Sequence, residues 1–463
     1  MRKISLALIL LTLIFAGAGC SLLGGTPQVQ MKPVKLQYWR IEDDPATLSE
    51  LITAYRKIHP NVEIVVTKLP AENYDKTLLE ALAEDRGPDL FSIPNVWLRG
   101  WKPKLLPLPK ETTLPTVTVN AQKQVVTVNK KSASLTIRQL LIDYVEPVGK
   151  DVVLKGDPDK PGALPQDKIF GLPLSFDTLA LFYNKALLKN ANIPKPPSAW
   201  KDLMDEATTL TSIDDQGKIK QSGAALGAAD NVRYYFDVLS AIMMQNGAVM
   251  ADENGYPSFA MYAQGNTAGH TYPPGVEALM FYDSFVTDGA TNRSWSADMP
   301  NSLDAFVTGR TAFYFGYPAD ALDIKVRAPK LDFGIAALPQ VDPSKIFNIA
   351  RYPVEVVSKK TKYANEAWDF LQFISQKDKV SSYLFAAKRP TALRSLINEQ
   401  MTNPDVGVFV GQILTAKSWY KGVDYPKAEK AFADMIKARP TIESPEYSTI
   451  VNYAADVVSG TIR

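Results

Sequence analysis

The chain is 463 residues long, 46% hydrophobic and 22% charged, with a formal net charge of +2. That length exceeds what one core usually serves, so two domains or lobes are expected, and the composition excludes a disordered chain. Charge this evenly balanced, with no basic run interleaved with aromatics, gives no electrostatic case for nucleic acid or an anionic membrane surface.

The first twenty residues read as an address. Arg2 and Lys3 precede an apolar stretch over 4–15, followed by Ala16-Gly17-Ala18-Gly19 and Cys20. The stretch is about 12 residues, against the roughly 20 that span a bilayer. Its basic start and small-residue exit indicate an export signal over 1–19. Ala18-Gly19-Cys20 resembles the bacterial lipobox, although Gly17 stands where leucine is usual. That resemblance implies lipidation at Cys20, the sole cysteine, with 20–32 as a lipidated tether. The mature chain then relies on packed cores rather than an internal disulfide.

Lys35 to Trp39 has the pattern of a strand. Asp44 and Pro45 supply the cap and first residue of a helix whose Leu48, Leu51, Ile52, Tyr55 and Ile58 form an apolar stripe ending at His59-Pro60. A strand over 62–66 follows, which makes a parallel pair with a helical crossover. A second helix is expected around 72–84, then a strand over 89–93 that leaves through Pro94-Asn95-Val96-Trp97. Residues 112–134 pattern as a β-hairpin, with Val117 and Val119 opposite Val125, Val126 and Val128. Its lysines are read as solvated surface. Residues 151–168, rich in proline and glycine, read as a loop.

A strand is expected over 171–183. Asn184 then caps a short helix, Asn192 takes a left-handed turn, and Pro194, Pro196 and Pro197 forbid continuation. Ser198 is expected to cap the next helix, with Trp200, Leu203, Met204, Ala207 and Leu210 on one face. Helical patterns cover 231–250 and 275–288, short strands return at 311–315, 333–338 and 354–358, and helices fill most of 364–457.

Ligands of open α/β sheets sit at the carboxyl ends of the strands. That rule selects Trp39, Arg40 and Glu42 after the first strand, Asn95 and Trp97 after the third, and Ser175 and Asp177 in the 171–183 segment. It also selects Tyr317 after the 311–315 strand, and Arg351 and Tyr352 before the 354–358 strand; Trp295, in an expected loop, joins them. Aromatics mixed with Arg, Asp, Glu and Asn suit a polyhydroxylated ligand. Rings cover the C–H faces of a sugar while charged and amide groups bridge its hydroxyls. The plainer reading makes these tryptophans packing, as Trp101, Trp200, Trp368 and Trp419 are read, and makes Arg40 and Glu42 a surface ion pair. No G-x-x-x-x-G-K-[ST], H-E-x-x-H, C-x-x-C or G-x-S-x-G motif occurs, so no catalytic residue, metal or cofactor is expected. Two carboxylates converging for glycoside hydrolysis remain the enzyme alternative.

Gly171-Leu172-Pro173-Leu174, Leu181-Phe182-Tyr183-Asn184-Lys185, Asn192-Ile193-Pro194 and Pro196-Pro197-Ser198-Ala199-Trp200 together resemble the extracellular solute-binding proteins of ABC importers, in their maltodextrin-binding-protein-like sugar branch. His59-Pro60-Asn61-Val62, Gly87-Pro88-Asp89-Leu90, Asp304-Ala305-Phe306 with Gly309-Arg310-Thr311-Ala312, and Asn365-Glu366-Ala367-Trp368 continue the match in order. The 112–134 hairpin is not part of that pattern. The resemblance implies an α/β, type II periplasmic-binding-protein-like fold: two α/β lobes, a hinge of crossing strands and a ligand cleft between them. It places lobe 1 at 33–175 plus 306–375 and lobe 2 at 178–305 plus 376–463. It also implies a monomer that closes on a small solute, a carbohydrate by this likeness, and passes it to separate ABC permease and ATPase subunits. The lipid would hold that receptor at the outer face of the bacterial cell membrane. A sensor or adhesin built from the same lobes is the alternative without transport.

Overall fold

The computed structural model describes residues 31–41, 43–158, 160–262, 269–438 and 445–462. The export signal, Cys20 and Glu42 lie outside the described residues.

In the first sheet, Val34–Arg40 runs parallel between Val62–Lys68 and Leu90–Pro94, and Pro353–Val357 adds an antiparallel edge to Leu90–Pro94. Successive side chains of a strand point to opposite faces. The alternation that buries Val34, Leu36 and Tyr38 therefore carries Arg40 inward as well. Asp44 Oδ1 accepts the Ala46 N–H at 2.8 Å, and the helix Ser49–Ile58 that follows this turn buries Leu51 and Tyr55.

The second sheet has the order Phe333–Ala337, Ala180–Asn184, Thr311–Gly316, Ile219–Ala224, Ser212–Ile213. Ala180–Asn184 is antiparallel to both neighbours. The strand expected over 171–183 is confined to this stretch; 171–178 instead crosses between lobes, touching Glu355 from Leu172, Thr391 from Ser175 and Ala350 from Thr178. Asn184 Oδ1 accepts the Ala186 and Leu187 N–H groups at 3.0 and 3.2 Å, and Asn192 has φ 57°. Ser198 does not cap the Trp200–Leu210 helix. Gln340 takes over that end: its N–H donates to the Ser198 carbonyl at 3.0 Å and its carbonyl accepts from the Trp200 N–H at 3.2 Å. Residues 151–168 are not simply loop, because Val153–Gly156 pairs antiparallel with Gln166–Ile169.

One core draws on 34–176 and 350–416, the other mainly on 179–349 and 419–458. The chain thus passes between lobes three times. This corrects the expected lobe bounds. Residues 306–349 lie with the second lobe because Thr311–Gly316 and Phe333–Ala337 flank Ala180–Asn184. Residues 376–416 lie with the first because Val380, Tyr383, Leu384 and Leu393 pack into its core. The hairpin pairs Glu111–Val119 with Val125–Ala133. Its base is fixed by Thr112 Oγ1 donating to Asp369 at 3.1 Å and by the Leu135 N–H donating to Gln372 at 2.8 Å. Among the described residues, no helix is long and apolar enough to cross a membrane.

Candidate functional site

The strand ends and crossing segments bring buried charges to the seam between the lobes. Arg40 is 2% exposed. Its Nη2 lies 3.1 Å from Glu355 Oε1, 3.1 Å from Asp43 Oδ2 and 2.9 Å from the Tyr383 hydroxyl. Glu355, fully buried, also accepts the Tyr38 and Ser92 hydroxyls, each at 2.5 Å. Asp43 accepts the Tyr383 hydroxyl at 2.5 Å, and Arg389 Nη2 meets Asp177 Oδ2 at 2.9 Å. Burial opposes the charge on Arg40, but Tyr383, Tyr38, Glu355 and Asp43 outweigh it and keep the guanidinium protonated. Burial also pulls the Asp43 carboxyl upward; Arg389 and Arg40 outweigh that pull and hold it below the usual carboxylate range. Charges this deep persist because each is paired. Arg40 Nη1, buried, has no hydrogen-bond partner among the described residues.

The second lobe supplies aromatic rings. Tyr317 begins the Pro318–Arg327 helix and sends its hydroxyl to Asp237 Oδ2 at 3.0 Å. The same oxygen accepts from Arg351 Nη1 at 3.0 Å, and that nitrogen also meets the Tyr425 hydroxyl at 3.2 Å. Burial, then Asp237, pushes the Tyr317 phenol up, so it stays a donor. Tyr234, held at φ 61°, stands edge-on to Tyr317 with ring centroids 4.8 Å apart. Left-handed backbone is uncommon for a bulky residue and marks a position fixed by its surroundings.

A cavity of about 60 Å³ lies between these groups, lined by Arg40, Asp43, Ser92 and Arg389 of the first lobe, Tyr234 and Tyr317 of the second, and Asp177, Arg351 and Tyr352 of the crossing segments. Small-molecule sites usually offer roughly 300–1,000 Å³. The space between these groups is smaller than that range. Larger hollows occur elsewhere on the protein. One of about 720 Å³ beneath the hairpin is lined by the first lobe alone. Another of about 1,140 Å³ also spans both lobes, from Arg99 and Lys150 of the first to Met244–Gly255 and Lys345 of the second, and it differs in having exposed polar groups such as Lys150, Asp252, Glu253 and Lys345.

Of the residues selected from sequence, the cavity gathers Arg40, Asp177, Tyr317, Arg351 and Tyr352. Trp295 requires correction: it is fully buried, packs in a core cluster and donates Nε1–H to Asn231 at 2.9 Å. Asn95 is buried with its amide spent on Asp151, Ser418 and the Tyr352 N–H. Trp39 is half-buried against the first core, and Trp97 stacks on Trp101 at 6.2 Å; neither lines the cavity. Arg40 is buried and pairs with Glu355 and Asp43; the alternative pair with Glu42 lies outside the described residues. Sequence reasoning missed Asp43, Ser92, Tyr234 and Arg389. Asp43 lies just past the end of the first strand, where the carboxyl-end rule reaches, whereas Ser92 is in the middle of Leu90–Pro94; nothing local marks Tyr234 or Arg389.

The family model of bacterial extracellular solute-binding proteins matches residues 38–380. The maltodextrin-binding protein of Bacillus subtilis (strain 168) is 25% identical over 225 residues, 47% of this chain and 48% of its own length. The chain spans about half the length of the curated relatives it matches. Among solved structures, the cyclic alpha-maltosyl-1,6-maltose binding protein from Arthrobacter globiformis is similar with TM-score 0.68 and 17% identity, over 93% of this chain and 99% of that one. A solute-binding protein from Thermotoga lettingae TMO, bound with alpha-D-tagatose, gives TM-score 0.67 and 15% identity over 93% and 100%. At such identities these likenesses speak to the fold, which is the two-lobed periplasmic-binding type. With its family model matched from residue 38 to 380, the chain belongs to the bacterial extracellular solute-binding proteins.

Proposed function

We propose that the chain is the lipid-anchored, extracytoplasmic receptor of an ABC importer, capturing a sugar or oligosaccharide by lobe closure and delivering it to a permease. The observation that carries this reading is the seam cavity, to which both lobes contribute. Asp43, Asp177, Arg40 and Arg389 supply acceptors and donors for adjacent hydroxyls, and Tyr317 and Tyr234 supply ring surface for C–H faces. Sugar is favoured because the Bacillus relative is named for maltodextrin and the Thermotoga structure holds tagatose. A solute that touches both lobes favours the closed form by its differential affinity, which is the signal a permease reads. The receptor acts as a monomer. Permease and ATPase are separate chains, because this sequence carries no nucleotide-binding motif.

Titration calorimetry with a series from monosaccharide to tetrasaccharide, paired with small-angle scattering, tests this. Saturable binding that shrinks the molecule is expected. No heat from any sugar, or binding without a change in dimensions, would remove the proposal.

A further inference from the structure

The hairpin takes no part in the seam. The Pro115 carbonyl of the hairpin accepts the His59 Nδ1–H at 3.0 Å, His59 lying just past the helix Ser49–Ile58. Asn61 Nδ2 donates to the Lys32 carbonyl, and the Val34 N–H to the Asn61 carbonyl, both at 2.8 Å. The hairpin, the last turn of that helix and the start of the described chain therefore share one end of the first lobe. Arg40 and the seam lie at the other end of the same strand, about 20 Å away.

That shared end is basic. Lys32, Arg56, Lys57 and Lys123 are exposed, and none takes part in an ion pair among the described residues. The carboxylates nearby are engaged: Glu63 by Lys35 at 3.8 Å, and Asp369 by Tyr55, Thr112 and His59. On the hairpin itself Glu111 is engaged by Lys131 at 2.6 Å, and Glu366 is half-buried near Tyr55. The hairpin's last cross-strand pair is Val119 with Val125, and these side chains are 62% and 69% exposed. Charge summed over the whole chain hides this local surplus.

We propose that this end of the first lobe is a foot that rests on an anionic bilayer surface, with the two valines entering the headgroup layer and the four bases meeting lipid phosphates. The proposal rests on the Cys20 anchor suggested above. Ten residues lie between Cys20 and Met31, and the eleven steps from one to the other reach at most about 40 Å. An anchored chain so tethered holds this end at high effective concentration near lipid, so a weak contact suffices. Each base near such a surface contributes about fivefold in partition, and two exposed valines add an apolar component. With the foot down, the seam points away from the bilayer toward arriving solute, and the contact is weak enough to release when the cleft turns to a permease.

The test uses the mature chain with Cys20→Ser, which removes the covalent anchor, sedimented with phosphatidylcholine vesicles containing about 30% phosphatidylglycerol at about 5 mM lipid. Partition onto these vesicles, little onto pure phosphatidylcholine, and loss at high salt are expected. Lys57→Gln with Lys123→Gln should weaken partition about 25-fold, and Val119→Ser with Val125→Ser should weaken it at unchanged charge. All four sites are exposed, so melting temperatures should stay unchanged. Absence of partition, equal partition by the charge variant, or partition independent of lipid charge would overturn the proposal. Binding only to vesicles that carry membrane proteins would overturn it too and assign this end to a protein partner. Fractionation of cells making wild type and Cys20→Ser tests the anchor alone, so the two failures are distinguishable.

Discussion

Tyr317 offers the most direct test of the seam as a binding site. Its ring is 5% exposed, edge-on to Tyr234, with the hydroxyl spent on Asp237. If the ring covers one face of a sugar, truncation removes about 40 Å² of apolar contact, or about 1 kcal/mol. Aromatic geometry adds about 0.5–1.5 kcal/mol. Tyr317→Ala should therefore weaken binding by about 10- to 70-fold. Tyr317→Phe keeps the ring and removes only a hydrogen bond to a carboxylate that Arg351 still holds at 3.0 Å. That variant should lose about 1.5–3 kcal/mol of stability, several degrees in melting temperature for a lobe of this size, and little affinity. Calorimetry with the tightest sugar, run beside thermal melts, separates the two effects. A folded Tyr317→Ala variant with unchanged Kd would place the residue outside the site; equal losses in both variants would show that the hydroxyl, not the ring, carries binding.

Other outcomes follow from the same geometry. Arg40→Met leaves Glu355 buried without its guanidinium and should cost about 3–5 kcal/mol; a shift in urea midpoint equivalent to a small fraction of that would contradict the network. Asp43 is held below the usual range despite burial, by Arg389 and Arg40. Its contribution is thus present above the unfolded pKa near 4 and lost as pH falls through the lowered native value. The stability advantage of wild type over Asp43→Asn should shrink in acid, and a constant difference across an acid titration would refute this. Glu206 is pushed up to about 7, first by burial and then by Asp202. The unfolded state ionises first, so this residue costs stability as pH rises from about 4.5 toward 7. Glu206→Gln should melt higher than wild type at pH above 7 and equally in acid, by a modest amount because solvent screens a half-exposed group. Cys20→Ser should move the protein from membrane to soluble fractions, and retention in the membrane fraction would exclude a lipid anchor there.

Local pattern made much of this fold legible. The period of two in Val34–Arg40, the Asp44 cap and the Asn184 cap are interactions of neighbours in sequence, and each formed as the residues suggest. What was not legible depends on partners far along the chain. Thr311–Gly316 is a buried strand in any sheet; that it pairs with Ala180–Asn184 is a long-range choice, and it moved 306–349 to the second lobe. Ser198 had the chemistry of a cap and was displaced by Gln340, 142 residues on. Trp295 lay in a stretch without helix or strand, where exposure is the usual expectation, yet it fills a core. The site divides the same way. The carboxyl-end rule points to Arg40, which lines the cavity, while Arg389 follows a left-handed Lys388 at a helix stop and comes to line it beside Asp177 of the crossing segment.

The pairing around the cavity bears on how closure is balanced. Arg40 satisfies itself with Glu355, Asp43 and Tyr383, all within the first lobe. Arg389 uses Asp177 on a crossing segment, and Tyr317 uses Asp237 within the second lobe. None of these contacts joins the body of one lobe to the body of the other; only Arg351, itself on a crossing segment, reaches Asp237. Parting the lobes therefore leaves the charges that line the cavity paired, so the large penalty for breaking a buried ion pair does not oppose opening there; the buried pair that does join the lobes, Asp151 of the first with Lys421 of the second, lies just past the crossing at 416–419, away from the cavity. Nor does closure gain such a pair at the cavity. An equilibrium without that bias is one that a solute bridging the lobes can shift with a few kcal/mol of differential affinity. A charge pair engineered directly across the seam, from first-lobe to second-lobe side chains, would forfeit that responsiveness by holding the empty protein shut.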